Sequence, residues 1–406
     1  MEKLDRILES YAAGASAKPG KNELLGVAFV VVDKNGILYQ GARGRNSTRP
    51  ESPKFAVDSV CWVASLTKLV TATCAMQLVQ KGLLGLDDDV RPLVPQLADV
   101  KVLSGFVGDD IPVLQPNIAP ITLRQLLLHT AGFAYGNGDP DMARWTKYVG
   151  RNHGDLDGKA EQWNTPLKFP PGQGWYYGTN IDWAGQVIER VTGKTLGKCM
   201  SEYLFEPLGM KDTTFQQRAL SHARDRLVPV ANRDSDSGHL TSSDDYYGPV
   251  DPEAESGGAG LYTTASDYSR LLQALLRALA GEHGGPVSQE TAAEMLRPQL
   301  TDKQRYWLQL IASLFYDGMA ADFLPGAPLD HGLSGAINTT DSSGKRRKGS
   351  MMWAGMCNAH WFLDPASGIG ATLVTNILPH PDKLVTKIWD ELERAVYSEL
   401  LVPSSD

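Results

Sequence analysis

Residues 63–90 read VASLTKLVTATCAMQLVQKGLLGLDDDV. After Ser65-Leu66-Thr67-Lys68, the apolar residues Leu69, Ala72, Met76, Val79 and Leu83 recur at alternating intervals of three and four, the stripe that a helix buries. Ser65 then sits in the first helical turn. Side chains three apart share a helix face, which brings the Lys68 amine to the Ser65 hydroxyl. Burial and the positive end of the helix both disfavour a charged ammonium, so the lysine is suited to take the serine proton. A nucleophile thus carries its own base within one turn. Alone, a serine and a lysine at this spacing arise often by chance and equally describe a helix cap with a solvated lysine.

Working outward, GVAFVVVDKNGILYQGARG at 26–44 holds two apolar runs around Asn35-Gly36, a pair that tolerates the positive φ of a tight hairpin. A second pattern of this kind lies near the other end: Met351 to Leu363, the turn residues Asp364 to Gly368, then Ile369 to Ile377. From Asp382 to Leu401 a helix is expected with Leu384, Ile388, Leu392, Val396 and Leu400 on one face. Leu4, Ile7 and Leu8 mark a first surface helix, without the apolar core and basic flank of a secretion signal. Between the ends, helical patterns occur near Leu69 to Lys81, Thr122 to His129, Asn180 to Val191 and Ser266 to Ala280, and a long surface loop is expected at Asp234 to Gly258. The expected class is α+β: an antiparallel sheet with flanking helices built from residues 1–60 and 335–406, a mainly helical lobe inserted over 61–334, and the active site where they meet.

At 406 residues with 42 % hydrophobic side chains, 9 Trp, 14 Tyr and 10 Phe, the chain is too large for a small binding module and too apolar for disorder. A net charge of -8 provides no positive field for nucleic acid or an anionic membrane. The longest aliphatic stretch, Leu24 to Val32, falls far short of the roughly 20 residues that span a bilayer. Cys61, Cys74, Cys199 and Cys357 follow no metal-ligand spacing and read as free thiols of a cytoplasmic protein needing neither metal nor cofactor.

Two further stretches carry chemistry. In Gly174-Trp175-Tyr176-Tyr177-Gly178-Thr179-Asn180, a tyrosine beside the Ser-Lys pair can shuttle a proton and an asparagine can orient an acyl group. In Lys348 to Met356, an edge strand ending in a small residue can bring a backbone N–H to a bound carbonyl and complete an oxyanion hole with the Ser65 N–H. Gly257-Gly258-Ala259-Gly260 reads as a tight turn lining the site, since no phosphate-loop lysine follows it. Trp145, Tyr148, Trp163 and Tyr262 suit an apolar acyl or acceptor wall, although core packing explains each equally well. His129, His331 and His360 read as structural hydrogen-bonding residues. Arg346, Arg347 and Lys348 suit either a carrier-protein phosphopantetheine or a solvated turn.

These three elements, in this order, resemble the serine β-lactamase and penicillin-binding-protein superfamily, in its class C and esterase branch. ITLRQLLLHTAGFAYG, FEPLGMKDTTF and GGAGLYTTASDYSRLLQALL are similar to it as well, so the resemblance covers nearly the whole chain. WYYGTNIDWAG, the RRKGS lead into the third element and NAHWFLDPASG most resemble the acyltransferases of fungal lovastatin biosynthesis, which move a short branched acyl group from a carrier thioester to an alcohol. The resemblance implies Ser65 as nucleophile, Lys68 and Tyr177 as its acid/base partners, and Met356 as donor of the second oxyanion N–H. Asn180, Trp353, Gly355, Gly258, Trp145, Tyr148 and Tyr262 are the expected substrate-side residues. Two departures bear on specificity. Trp353-Ala354-Gly355 replaces the Lys-Thr-Gly of β-lactamases, so no lysine there meets a substrate carboxylate, and Ala354 and Met356 stand where the lovastatin type has glycines.

The expected function is therefore a serine acyltransferase that passes an acyl group from a thioester or ester donor, with or without a carrier protein, to the hydroxyl of a polyketide-like secondary metabolite. A carboxylesterase would use the same residues with water as acceptor. A non-catalytic binding homologue would have no need of Ser65, Lys68, Tyr177 and Asn180 together.

Overall fold

The computed structural model describes residues 1–401 except 13–19, 50, 109, 137, 152–155, 243–247, 315–322 and 324. Its centre is a seven-stranded antiparallel sheet. The strands are β1 (Gly26–Asp33), β2 (Ile37–Gly44), β3 (Leu329–Gly332), β4 (Gly335–Asn338), β5 (Met351–Ala354), β6 (His360–Asp364) and β7 (Ile369–Val374), in the order β2-β1-β7-β6-β5-β4-β3. Val30 stands opposite Thr372, which fastens the first strand of the chain to the last of this sheet. Asp33 closes the β1–β2 hairpin by accepting the Asn35 and Gly36 N–H groups on one carboxylate oxygen.

β1 is buried on both faces, which explains its near-continuous run of valines. On one face lie α1 (Glu2–Tyr11) and the last helix, Lys383–Ala395, whose Trp389 meets Phe29 and Phe362 edge-on and stacks on His360. Asp382 caps that helix, accepting from the N–H groups of Leu384 and Val385. On the other face, the helix Ala265–Leu279 presses Leu272 against Gly370, where a β-carbon would stand 3.3 Å from the Leu272 Cβ.

The remaining helices that position the site are α2 (Thr67–Gln80) and α3 (Asn180–Thr192). α2 is buried from Thr67 through Leu78, all round rather than along one stripe, and Thr71 and Thr73 return their hydroxyls to its own carbonyls. α3 ends at Gly193, whose φ of 66° suits glycine.

Four readings of the sequence change. The sheet takes in Leu329–Gly332, so the return to it begins before residue 335, and the helix 265–279 packs on the sheet rather than in a separate lobe. The apolar run Met351–Leu363 is two strands, because Gly355 and Asn358, the latter at φ 61°, turn the chain between them. The stretch expected as one long surface loop contains the strand Leu240–Ser242, and its end, Ala254–Ala259, is buried. The middle of the chain also holds an unanticipated hairpin, Lys101–Val107 with Ile111–Pro116.

Candidate active site

Ser65 lies not in α2 itself but in a separate short turn, Ala64–Leu66, abutting its N-terminus. Ala64 adopts φ 46°, a left-handed conformation that costs a non-glycine residue about 1–3 kcal/mol. Thr67 fixes it by donating its hydroxyl to the Ala64 carbonyl at 2.6 Å. The turn leaves Ser65 only 8 % exposed.

Around Ser65 Oγ stand the Lys68 Nζ at 3.0 Å and the Tyr177 hydroxyl at 2.7 Å. Lys68 Nζ also lies 3.0 Å from the Tyr135 hydroxyl and donates to the Gly258 carbonyl at 2.8 Å. Trp353, at the end of β5, donates its indole N–H to the Tyr177 oxygen at 3.1 Å, and the two rings lie 5.0 Å apart. Tyr135 was not singled out from the sequence. It is the second aromatic residue after His129-Thr130-Ala131-Gly132, in a loop with no periodicity to flag it.

Gly355 brings β5 to the turn that carries Ser65. A β-carbon there would stand 2.5 Å from the Val63 carbonyl oxygen and 3.2 Å from Leu66, so only glycine lets the strand end touch the serine turn. β5 is not an edge strand, since β4 and β6 flank it. Its pairing with β4 reaches only Met352, however, and that with β6 ends at Ala354, which leaves the Met356 N–H outside both ladders. The Met356 side chain is partly exposed at the rim.

Asn180 is fully buried at the start of α3. Its amide donates to the Phe133 carbonyl at 3.0 Å and to His129 Nδ1 at 3.2 Å, tying the loop of Tyr135 to that of Tyr177 rather than facing the opening. Beneath them His129 packs on the Tyr177 ring at 4.8 Å and on His331 at 5.7 Å. Burial, with the nearby His331 and Lys68, holds His129 well below the ordinary histidine value of 6.5. Burial also lowers His331 to about 4, against the opposing pull of the Gly332 carbonyl. Both imidazoles are therefore neutral in the folded protein at neutral pH. Tyr176 points the other way, donating to Asp139, which also pairs with Lys168.

The expected wall residues are dispersed. Trp145 packs with Leu103, Ala134 and Met142 in a satellite cluster, and Tyr148 ends the same helix, Pro140–Tyr148, half exposed. Tyr262 is buried, its hydroxyl accepting from Gln217 at 2.8 Å. Trp163 is buried against Trp183. The basic turn is only partly a surface feature: Arg346 is 1 % exposed and forms a two-bond pair with the buried Glu393, at 2.8 and 2.6 Å, leaving Arg347 and Lys348 outside. The thiols are free and buried, with the sulfurs of Cys74 and Cys199 3.6 Å apart. Among the described residues no acidic, histidine or cysteine cluster suits a metal, and no helix is long and apolar enough to cross a membrane.

A family model described as Beta-lactamase matches residues 4–394. The chain belongs to the β-lactamase family. Within that family it is 32 % identical to the lovastatin esterase of Penicillium rubens, over 92 % of this chain and 94 % of that one. It is 29 % identical to the monacolin J acid methylbutanoyltransferase of Aspergillus terreus, over 93 % and 92 %. Among solved structures, a mutant of simvastatin synthase from Aspergillus terreus superposes with a TM-score of 0.85 at 29 % identity, covering 92 % of this chain and 90 % of that one. The α+β fold, with its antiparallel sheet flanked by helices, is thus shared with that synthase.

Proposed function

We propose that this chain is a serine acyltransferase that carries an acyl group on Ser65 from a thioester or ester donor to the hydroxyl of a small, largely uncharged secondary metabolite. The observation that carries the reading is the convergence of Lys68 Nζ and the Tyr177 hydroxyl on one serine oxygen. A serine hydroxyl is a weak nucleophile until a neighbour accepts its proton, and two acceptors within hydrogen-bond reach supply that neighbour. As Ser65 Oγ attacks the donor carbonyl, its proton passes to this pair. The tetrahedral oxyanion is received by the N–H groups of Ser65 and Met356, brought together by the close approach of Gly355. Collapse breaks the bond to the leaving thiol or alcohol, which takes the proton from Tyr177. The acceptor hydroxyl then repeats the sequence in reverse, giving up its proton, attacking the acyl carbonyl and releasing Ser65. The indole N–H of Trp353 stabilises negative charge on the Tyr177 oxygen while it holds no proton.

The lip of the site favours neutral substrates. Trp353-Ala354-Gly355 presents an indole and small residues where a lysine would select a carboxylate. Acyltransferases and an esterase both stand among the relatives, and the two outcomes differ in whether a bound alcohol outcompetes water for the acyl-enzyme. We place the protein in the cytoplasm, with four buried free thiols in keeping, and leave the donor open between a simple thioester and one presented by a carrier protein.

The test is intact-mass analysis with a panel of acyl thioesters and p-nitrophenyl esters, followed by peptide mapping and then by a library of polycyclic alcohols. An acyl adduct on Ser65 that an alcohol discharges into a new ester is the expected result. An adduct persisting on Ser65→Ala removes the nucleophile assignment. Free acid as sole product, at a rate no alcohol changes, converts the reading to a carboxylesterase.

A further inference from the structure

We propose that Asp182 is a positioning residue for the acylation step: through the turn at Gly258 it aims the Lys68 amine at Ser65. The inference rests on the reading of Ser65 as nucleophile.

Asp182 lies in the first turn of α3 and is 1 % exposed. A carboxylate there interacts favourably with the helix end, but its side chain also reaches across to another segment. One carboxylate oxygen accepts the Ser256 hydroxyl and the Gly258 N–H, the latter at 3.1 Å. The approach is close enough that a β-carbon on Gly258 would stand 2.4 Å from the other oxygen. The same turn is clipped to α2, since Thr71 donates to the Gly257 carbonyl at 2.6 Å and the Leu261 N–H donates to the Thr67 hydroxyl at 3.1 Å. Three anchors therefore fix the Gly258 carbonyl, which accepts from Lys68.

The fixed carbonyl matters because of what an amine can do. A carbonyl oxygen only accepts, so one N–H of Lys68 is committed to Gly258 whether or not the side chain is charged. In the neutral amine a second N–H meets the Tyr135 oxygen, and the lone pair is left for the third neighbour, the Ser65 hydroxyl. Release of the Gly258 carbonyl would let the amine turn its lone pair away from the serine. Lys68 also faces the rings of Tyr135 and Tyr177 and lies near His129, which burial keeps neutral.

The experiment measures the rate of acyl-Ser65 formation with a p-nitrophenyl ester at saturation, beside thermal melting of the same samples. In Asp182→Asn the side chain keeps an oxygen for Ser256 and Gly258, so the rate is expected to stay within a few-fold of wild type. Asp182→Ala removes both bonds and Ser256→Ala removes one, so the rate should fall about tenfold in the first and several-fold in the second, with the ester KM little changed. Rates in Asp182→Ala and Ser256→Ala equal to that of the wild type overturn the positioning role, and the Ser256→Ala result decides it alone if Asp182→Ala does not fold. Wild-type protein that never acylates Ser65 would instead overturn the reading on which the role rests.

Discussion

Gly355→Ala places a methyl group where the structure has no room. The added carbon would stand 2.5 Å from the Val63 carbonyl oxygen, whereas ordinary contact begins near 3.4 Å. The difference, about 0.9 Å, must be met by β5 and the Ala64–Leu66 turn moving apart, since neither the Val63 backbone nor the close-packed Leu66 behind it yields at no cost. Gly355 is not among the residues of positive φ, so the objection is one of space alone. Overpacking of this kind costs about 1–3 kcal/mol of stability, a modest fraction for a chain of this size. The effect on chemistry should be larger: the Met356 N–H recedes from Ser65 by nearly 1 Å, and a misplacement of that order costs on the order of 10²-fold in rate. Stopped-flow acylation with a p-nitrophenyl ester, beside thermal melting of the same sample, separates the two. The expected pattern is a small drop in Tm with a loss of about two decades in acylation. Acylation within threefold of wild type, with Tm lowered as expected, would show that the strand end does not furnish the oxyanion donor.

Replacing Lys68 with Met keeps most of the volume and should cost at least about 10²-fold in acylation, while near-normal rates at neutral pH would point to another base. Trp353→Phe removes the N–H donated to Tyr177 and retains a ring, so kcat should fall by about 2- to 10-fold, and an unchanged value would leave the indole a packing role only. Glu393→Gln removes the buried carboxylate that pairs with Arg346 and Lys345, while Lys345 keeps Asp390, and should destabilise by about 3–5 kcal/mol in urea, a loss below about 1 kcal/mol arguing that other groups or water relieve the site. His129 and His331 stay neutral in the folded protein, while the unfolded chain takes protons on both below 6.5. Their contribution to stability is therefore complete above that pH and is lost as pH falls below it, for His331 toward about 4, at up to about 1.4 kcal/mol per unit for each; His331→Gln should flatten the urea midpoint between pH 6.5 and 4.5, and an equally steep fall in that variant would exclude His331.

Periodicity and turn chemistry are local, and what they encode was legible. The hairpin at Asn35-Gly36, the helices near 67–80, 180–192, 265–279 and 383–395, and an antiparallel sheet made from both ends all follow from such patterns. Ser65, Lys68, Tyr177, Trp353 and Gly258 were likewise marked by motif, and they stand together. Tyr135 and Asp182 escaped because their parts depend on contacts across about 67 and 76 residues, which spacing does not record. Asn180 stands out in the sequence as a polar residue in a motif, yet its amide N–H groups are taken up by His129 and the Phe133 carbonyl. Arg346 reads as surface charge because its buried partner, Glu393, lies 47 residues further along the sequence. The split of Met351–Leu363 went unseen since apolar residues continue through the turn, and only Gly355 and Asn358 betray it.

The pairing of β1 with β7 has a consequence for how the molecule comes into being. Val30 and Thr372 are separated by about 340 residues of chain, so a ribosome adds all of these before the second neighbour of β1 exists. Until then the valine-rich face of β1 and its open backbone edge are a template for strangers, and the entropy of closing so long a loop must be met before any contact rewards it. Assembly of the proposed catalytic turn is tied to the same moment, because Trp353 and Gly355 arrive with the late strands. A nascent chain therefore carries Ser65 and Lys68 long before the Met356 N–H that the proposed chemistry requires, and its demand for chaperones should persist until β7 has been made.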